Sequence, residues 1–295
     1  MGKRRKTLIE RMRSGEFLVS IQIDPPGVST DLKEFQTTIK KLIEVGAALF
    51  DINSSRRISH DSVELAVALA RRKIDVIPHV TTRDSSINGL LNQAFAAYSL
   101  SKVSDFLIIT GDPYEAEKAI IPSRGVFQTD SIGALKAFDE YLRKRMGLGI
   151  ALGAAVNQNE PDLEYEGIRI QEKESAGADF FMSQPIFSAL QAMELLNFYH
   201  RYSKRPLLVG VWPLVYRKTI EAIKNAKIVG VSLPKEVYEE SLKFWEREDA
   251  LLEWGLEGAL RLIRFLKNDG RASGVYIVAP SRNPQVLLDI LPDIL

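Results

Sequence analysis

The sequence predicts a (β/α)8 barrel of the TIM type, and three observations carry that prediction. Eight short runs of aliphatic and β-branched residues are spread along the 295 residues, each divided from the next by amphipathic sequence of helical spacing. Strand and helix alternating in this way build a parallel sheet. Eight such units in about 250–300 residues close into a barrel, where five to seven would give an open doubly wound sheet. No Gly/Ser/Pro-rich linker and no shift of composition divides the chain, so a single domain over 1–295 is expected.

The elements follow in order. The opening MGKRRKTLIERMRSGEF lacks the apolar stretch of a signal peptide, and residues 1–15 read as a basic helical lead-in. FLVSIQI (17–23) is the first strand and stops at Asp24-Pro25-Pro26, because proline cannot extend a ladder. Leu32, Phe35, Ile39, Leu42 and Ile43 then repeat at helical intervals up to Gly46. AALFDI (47–52) precedes a helix over 61–72, IDVIPHV (74–80) a helix over 86–101, and DFLIIT (105–110) a helix near 130–145. GIALGAAV (149–156), ADFFMS (178–183) and PLLVGVW (206–212) precede helices over 162–176, 187–202 and from Arg217. Amphipathic segments near 235–247 and 250–267 lead to the last strand, GVYIVAP (274–280).

Bulk properties narrow the function. Hydrophobic residues at 45% and charged residues at 26% describe a soluble globular chain. With 39 basic against 38 acidic residues the net charge is +1, which gives no general attraction for nucleic acid or an anionic membrane. No run approaches the ~18 apolar residues of a membrane span. The absence of cysteine excludes disulfides, thiolate metal sites and cysteine nucleophiles, and points to the cytoplasm. The three histidines, His60, His79 and His200, are not spaced as metal ligands, so no metal is expected. There is no G-x-G-x-x-G after the first strand, no P-loop, no H-E-x-x-H and no G-x-S-x-G.

In a barrel of this kind the chemistry gathers where strands end, because the βα loops form the mouth. The polar residues after each run are therefore the candidates: Gln22 and Asp24; Asn53 and Ser54; His79 with Thr81 to Asp84; Thr110-Gly111-Asp112-Pro113; Asn157; Ser183-Gln184-Pro185; Trp212-Pro213; and Ser281-Arg282-Asn283.

Seven of these strand ends, in order, resemble the methylenetetrahydrofolate reductase family. The motifs are VSIQIDPP (19–26), PHVTTRD (78–84), ITGDP (109–113), GAAVNQNE (153–160), AGADFFMSQPIF (176–187), GVWPL (210–214) and YIVAPSRN (276–283). RIS (57–59) and TTRD (81–84) are most similar to the branch also found fused to a homocysteine methyltransferase, although no methyltransferase segment follows here. The resemblance implies FAD across the mouth, NADH or NADPH as electron donor, and reduction of methylenetetrahydrofolate to methyltetrahydrofolate in one-carbon metabolism and methionine biosynthesis. The protein then binds and polarises while the cofactor performs the hydride chemistry.

Individual roles follow from the resemblance, each beside a plainer reading. Asp112 matches the aspartate near flavin and pterin, where a carboxylate accepts from a pterin amino group and favours cationic character in the transition state; Gly-Asp-Pro is also an ordinary turn. Gln184 matches a glutamine that reads folate and nicotinamide in turn, or is a loop amide bonded to backbone. His79 matches a flavin-contacting histidine, or is a satisfied core residue. Lys173 matches a lysine at the cofactor phosphates, or is a solvated helix lysine. Thr110, Gly111, Ser131 and Asn157 are flavin-side candidates. Arg282 matches an arginine that approaches the folate, and a guanidinium suits the glutamyl carboxylates. Trp212 and Tyr216 offer faces for stacking or belong to the core.

Two departures from the pattern stand out: Thr110, where some relatives have an arginine before the glycine, and, mattering most, Gln22. The family motif has a glutamate here, which protonates the exocyclic nitrogen of the folate so that the imidazolidine ring opens to an iminium. An amide has no proton to give near neutrality. Asp24, two residues on and on the same strand face, is the expected substitute, unless it only introduces the Pro-Pro turn. Three readings stand: a flavin-dependent reductase with a displaced acid; a folate- or flavin-binding barrel without this activity on its own; and a dehydrogenase of the proline-oxidising barrel type, disfavoured because paired arginines are missing near the last strand. A homo-oligomer or a partner electron-transfer subunit is compatible with all of them.

Overall fold

In a computed structural model, which describes residues 7–114, 124–280 and 283–295, eight parallel strands close a barrel in sequence order, β1 to β8. They are β1 (Leu18–Ile23), β2 (Leu49–Ile52), β3 (Asp75–Thr81), β4 (Asp105–Ile109), β5 (Ala151–Val156), β6 (Phe180–Ile186), β7 (Leu207–Val211) and β8 (Gly274–Val278). Closure is made by β1 lying beside β8, with Leu18 opposite Gly274 and Gln22 opposite Val278. The expected fold class is thereby observed.

The lead-in helix is α1 (Leu8–Arg13); the outer layer begins with α2 (Leu32–Glu44), then α3 (Ser62–Ala70), α4 (Ile87–Ser101), α5 (Ser131–Ala137) and α6 (Leu163–Ser175). It continues with α7 (Ala189–Tyr202), α8 (Arg217–Lys224), α9 (Lys235–Ser241) and α10 (Glu248–Asp269). Their starts are written in the sequence. Asp31, Asp61, Ser86, Asp130, Asp162 and Ser188 each accept a backbone N–H of the first turn, which satisfies donors that would otherwise lack partners. One departure from regular geometry follows α5, where Phe138–Arg145 continues with π-type winding.

Two apolar layers result. The outward faces of the strands pack on the helices around Phe50, Phe106, Phe138, Phe181 and Tyr199, all fully buried. The inward faces make a smaller interior from Leu18, Leu49, Ile77, Leu107, Phe180, Met182, Leu208 and Tyr276. Leu8, Ile9 and Met12 of α1 belong to this interior, so the lead-in helix plugs the N-terminal end of the barrel. Thr7 and Glu10 form a capping box at its start, and Arg11 Nη1 lies 3.0 Å from Asp75 Oδ2 at the foot of β3. Residues 1–6 of the basic segment lie outside the described residues.

A bulge distinguishes β6. Met182 pairs with Leu208 and Pro185 with Gly210, so β6 advances three residues where β7 advances two. The extra residue releases Ser183 and Gln184 from the regular ladder with β7. It also explains how proline is tolerated inside a central strand. Gly210 is required opposite the bulge, because a Cβ there would lie 2.6 Å from the Tyr276 ring and 2.9 Å from the Pro185 Cα.

Candidate active site at the C-terminal mouth

The C-terminal ends of the strands surround a cavity of about 670 Å³. Strand alternation delivers every second residue of β1 into the barrel, so Gln22 and Asp24 both reach its wall. His79, Thr81 and Arg83 come from β3 and the turn after it, Thr110, Gly111 and Asp112 from the end of β4, Ser183 and Gln184 from the bulge, and Trp212 from the end of β7.

Asp51 lies behind this wall, next to Gln22, and was missed by strand-end reasoning. It is fully buried, beside Gln22 in the β1–β2 register. Its Oδ1 accepts the Ser20 hydroxyl at 2.6 Å and its Oδ2 accepts the Gln22 amide at 2.9 Å. His79 Nε2 lies 3.4 Å from the same Oδ2. That separation is an ion-pair distance, but its geometry does not make a hydrogen bond, and Nε2 is buried without one. Tyr276 donates its hydroxyl to Ser183 O at 2.5 Å, and burial together with the Asp51 charge raises its pKa. The signal for Asp51 was an acidic residue inside an otherwise apolar run, since a buried charge demands partners.

The Gly111 turn closes the next side. Gly111 has φ +82, and a Cβ there would come within 3.1 Å of Thr81 and 3.3 Å of Arg83. A residue with a side chain would be strained in this conformation and crowded as well. Thr110 Oγ1 accepts the Ser131 N–H at 3.0 Å and so ties β4 to the start of α5. Arg83, almost wholly buried, is a strut. Its Nη2 meets Asp84 Oδ2 at 2.6 Å and Ser55 O at 3.0 Å, its Nη1 meets Asp112 O at 3.4 Å, and Tyr114 lies against its face. Burial opposes the charge of Asp84, but the bonds from Arg83, Tyr114 and Thr81 prevail and hold its pKa below the usual carboxylate value.

Opposite, Gln184 is held by its backbone. Gln158 and the Gln184 peptide exchange two hydrogen bonds, at 2.8 and 3.0 Å, which leaves the Gln184 side chain to the cavity. Asp24 Oδ1 accepts from Asn53 Nδ2 at 2.7 Å.

Asn53, Ser54 and Pro185 also line the wall, whereas Lys173, Asn157, Ser131 and Tyr216 are not among the residues that do. Lys173 is buried under the end of β5, where Nζ donates to Ala155 O at 2.8 Å and meets Glu166 Oε1 at 3.2 Å. Burial lowers its pKa against the pull of Glu166. Glu166 also accepts the Asn157 N–H at 3.0 Å, so Lys173, Glu166 and Asn157 form one strut below the rim. Ser131 is buried at the start of α5, and Tyr216 is half-buried at the start of α8 against the outer core. Arg282 and Ser281 lie outside the described residues. Conversely, Arg56 and Arg57 after β2 and Ile228, Val229 and Val231 after α8 reach the wall although no strand-end pattern marked them.

A planar heteroaromatic cofactor fits what is present. The Gly111 turn offers bare backbone, Thr110 and Gln184 offer polar groups, and the wall is open enough for a large ligand. Among the described wall residues the cationic groups are Arg56, Arg57 and Arg83, and Arg83 is committed to Asp84. No group of three or more potential metal ligands occurs among the described residues, and no described helix is long and apolar enough to cross a membrane.

Comparison with known proteins agrees with the geometry. The family model described as methylenetetrahydrofolate reductase matches residues 7–290. Methylenetetrahydrofolate reductase 2 of Schizosaccharomyces pombe is 20% identical over 91% of this chain and 44% of its own length. A probable methylenetetrahydrofolate reductase (NADPH) of Caenorhabditis elegans is 19% identical over 90% of this chain and 41% of its own. The chain thus spans less than half the length of either. Among solved structures, a Clostridium thermocellum protein that binds two copies of 5-methyl-5,6,7,8-tetrahydrofolic acid superposes with a TM-score of 0.69 at 16% identity, covering 97% of this chain and 98% of that one. The 7,8-dihydropteroate synthase of Vibrio fischeri ES114 gives 0.50 at 14% identity, covering 100% and 96%. At these identities the structural likeness is one of fold.

Proposed function

Since the chain belongs to the methylenetetrahydrofolate reductase family, we propose that it reduces methylenetetrahydrofolate to methyltetrahydrofolate. The reaction uses a bound flavin, FAD, and electrons from NADH, NADPH or a partner electron-transfer subunit. The observation that carries this reading is that Asp112 and Gln184 stand on the wall of one cavity whose side is the Gly111 turn. The flavin, when bound, supplies the hydride chemistry.

Thr110, Gly111 and the Thr81 side of the mouth would hold the ring system, and Arg56 and Arg57 supply positive charge for phosphates or for the glutamyl carboxylates of a folate. Asp112 accepts hydrogen bonds from the pterin and its charge favours the iminium over the closed ring. Gln184, with its backbone locked by Gln158, keeps a side-chain amide free to donate and accept at a pterin edge or a carboxamide. Trp212 offers a flat apolar wall.

The test is spectroscopic. Purified protein mixed with FAD is expected to retain the yellow cofactor on desalting, to bleach with NADH or NADPH without oxygen, and to recover its colour on adding methylenetetrahydrofolate. Failure to retain FAD, or bleaching that folate never reverses, overturns the reading. The second outcome favours a folate- or flavin-binding barrel without this activity on its own, which the amide at Gln22 independently supports.

A further inference from the structure

The carboxyl that the family motif places on β1 has a counterpart one strand away. Asp51 is the register partner of Gln22 on β2, and its carboxylate sits where the Gln22 side chain ends, 2.9 Å from Nε2. A buried carboxylate is costly unless its charge is compensated. Ser20 and Gln22 donate to it but are neutral. The group that can carry a compensating charge is His79, whose Nε2 is 3.4 Å from Oδ2. His79 lines the cavity and Asp51 does not, so the pair has a wet end and a dry end.

The same contacts define what Gln22 does. One N–H of its amide is committed to Asp51, which leaves the amide oxygen as an acceptor and the second N–H as a neutral donor. Gln22 therefore orients a ligand N–H and supplies no proton.

We propose that His79 is the proton donor to the folate and that Asp51 is the positioning residue behind it, a proton source moved from β1 to the β2–β3 side of the mouth. The proposal rests on the reductase reading of this cavity. In the step, the protonated imidazole gives its proton to the exocyclic nitrogen of methylenetetrahydrofolate. The bond from that nitrogen to the bridging carbon breaks with its electron pair remaining on the nitrogen. The carbon is left as the iminium of the ring nitrogen, ready to accept hydride, and His79 is left neutral until water at the rim reprotonates it. Asp51 keeps its charge throughout and stabilises the imidazolium before transfer.

The surroundings of His79 are otherwise quiet. From β4 it faces Leu107, from α3 the Ser62 hydroxyl donates to its carbonyl at 2.6 Å, and from β8 Tyr276, which feels the Asp51 charge, lines the same cavity with its hydroxyl bonded to Ser183 O. Arg83, Asp112 and Asp24 stand farther out on the rim, with Arg83 paired to Asp84 and Asp24 bonded to Asn53.

Two measurements on the full chain test this. Nitrogen-15 NMR of the free protein reads the ring proton directly, and the chain has three histidines to assign. Nε2–H is expected at His79, with the proton redistributed to Nδ1 in Asp51→Asn. An Nδ1–H tautomer in the wild type overturns the pairing. With FAD loaded, reduction by nicotinamide and reoxidation by methylenetetrahydrofolate are timed separately. Asp51→Asn and His79→Gln are expected to slow reoxidation by ~10²–10⁴-fold more than they slow reduction. They should also remove an ionisation from its pH profile, and added imidazole should rescue His79→Ala. If Asp24→Asn is the damaging change and these are not, the proposal is wrong while the reductase reading stands. A wild type that never reoxidises with folate removes both.

Discussion

The two ends of the barrel each bury an aspartate, and they treat it differently. At the mouth, Asp51 receives a hydroxyl on one oxygen and an amide on the other, with an imidazole at ion-pair distance. At the base, Asp105 receives the Ser104 hydroxyl on Oδ2 at 2.7 Å, and its Oδ1 has no hydrogen-bond partner. Burial pushes the Asp105 carboxyl up to about 7, reinforced by Asp75 and Asp179 and only partly offset by Ser104 and Arg11. The α1 plug excludes water from that end, whereas the mouth is open. The difference teaches that burial alone does not prepare a carboxylate for chemistry. Donors arranged around it and a path to a ligand do, and both are found where the βα loops meet.

The largest contrast comes from one change at each end. Asp112→Asn at the exposed rim is expected to change stability by no more than ~0.5 kcal/mol. It should slow flavin reoxidation by folate by ~10²–10³-fold, the usual cost of one electrostatic contact to a developing charge. Met12→Ala in the plug should do the reverse, losing about 2–5 kcal/mol of unfolding free energy with folate affinity kept. Urea melts and rapid-mixing kinetics on both variants read the two effects. A plug variant with intact stability would break the contrast.

Gly111→Ala comes next. A non-glycine residue in this left-handed turn costs ~1–2 kcal/mol, and the crowding at Thr81 and Arg83 adds to it. FAD retention should fall in parallel, measured by fluorescence titration.

The most gradual effect is the pH response of the base. The folded-state pKa of Asp105, about 7, exceeds the unfolded value near ~3.9. Between them the folded chain holds the additional proton. Stability should therefore decline as pH rises from about 4 to about 7, by at most ~1.4 kcal/mol per pH unit from this group. Asp105→Asn should flatten that slope and stabilise the chain above neutrality. Melting curves at several pH values decide it, and a variant with an unchanged slope would show that the base tolerates the charge.

The barrel was legible because its signals are local. Aliphatic runs ending at Pro25, Gly111 or Pro213 mark strand ends, and Asp31, Asp61, Ser86 and Asp162 mark helix starts without reference to the rest of the chain. The rim residues followed from strand polarity, and most lie on the cavity wall. Residues defined by contacts across the barrel were not legible. Asp51 reads as one polar interruption in a strand until β1 and β3 bring Gln22 and His79 to it. Lys173 has the spacing of an outer helix residue, yet its long side chain reaches under β5 to Ala155 O. Arg56, Arg57 and the 228–231 segment reach the cavity through loops whose paths no periodicity encodes. Residues 235–247 read as one amphipathic segment, but α9 ends at Ser241 in a short 3-10 turn, Leu242–Phe244.

The Arg83 strut has a mechanical consequence. Its guanidinium grips the loop after β2 at Ser55 and the loop after β4 at Asp112. Its carbonyl accepts the Val126 N–H, and the neighbouring Thr82 carbonyl accepts that of Phe127. Three stretches of chain are therefore fastened to one residue, two by its side chain and one by its carbonyl, and it has almost no exposed surface. Such a hub couples their fluctuations: releasing one stretch frees bonding groups that the others help to satisfy, so this side of the rim yields collectively or stays put. Across the mouth, Asn159 Nδ2 holds Gly230 O at 2.8 Å and Gln191 Nε2 holds Ser232 O at 3.1 Å, so that stretch is fastened by separate side chains and can give way bond by bond.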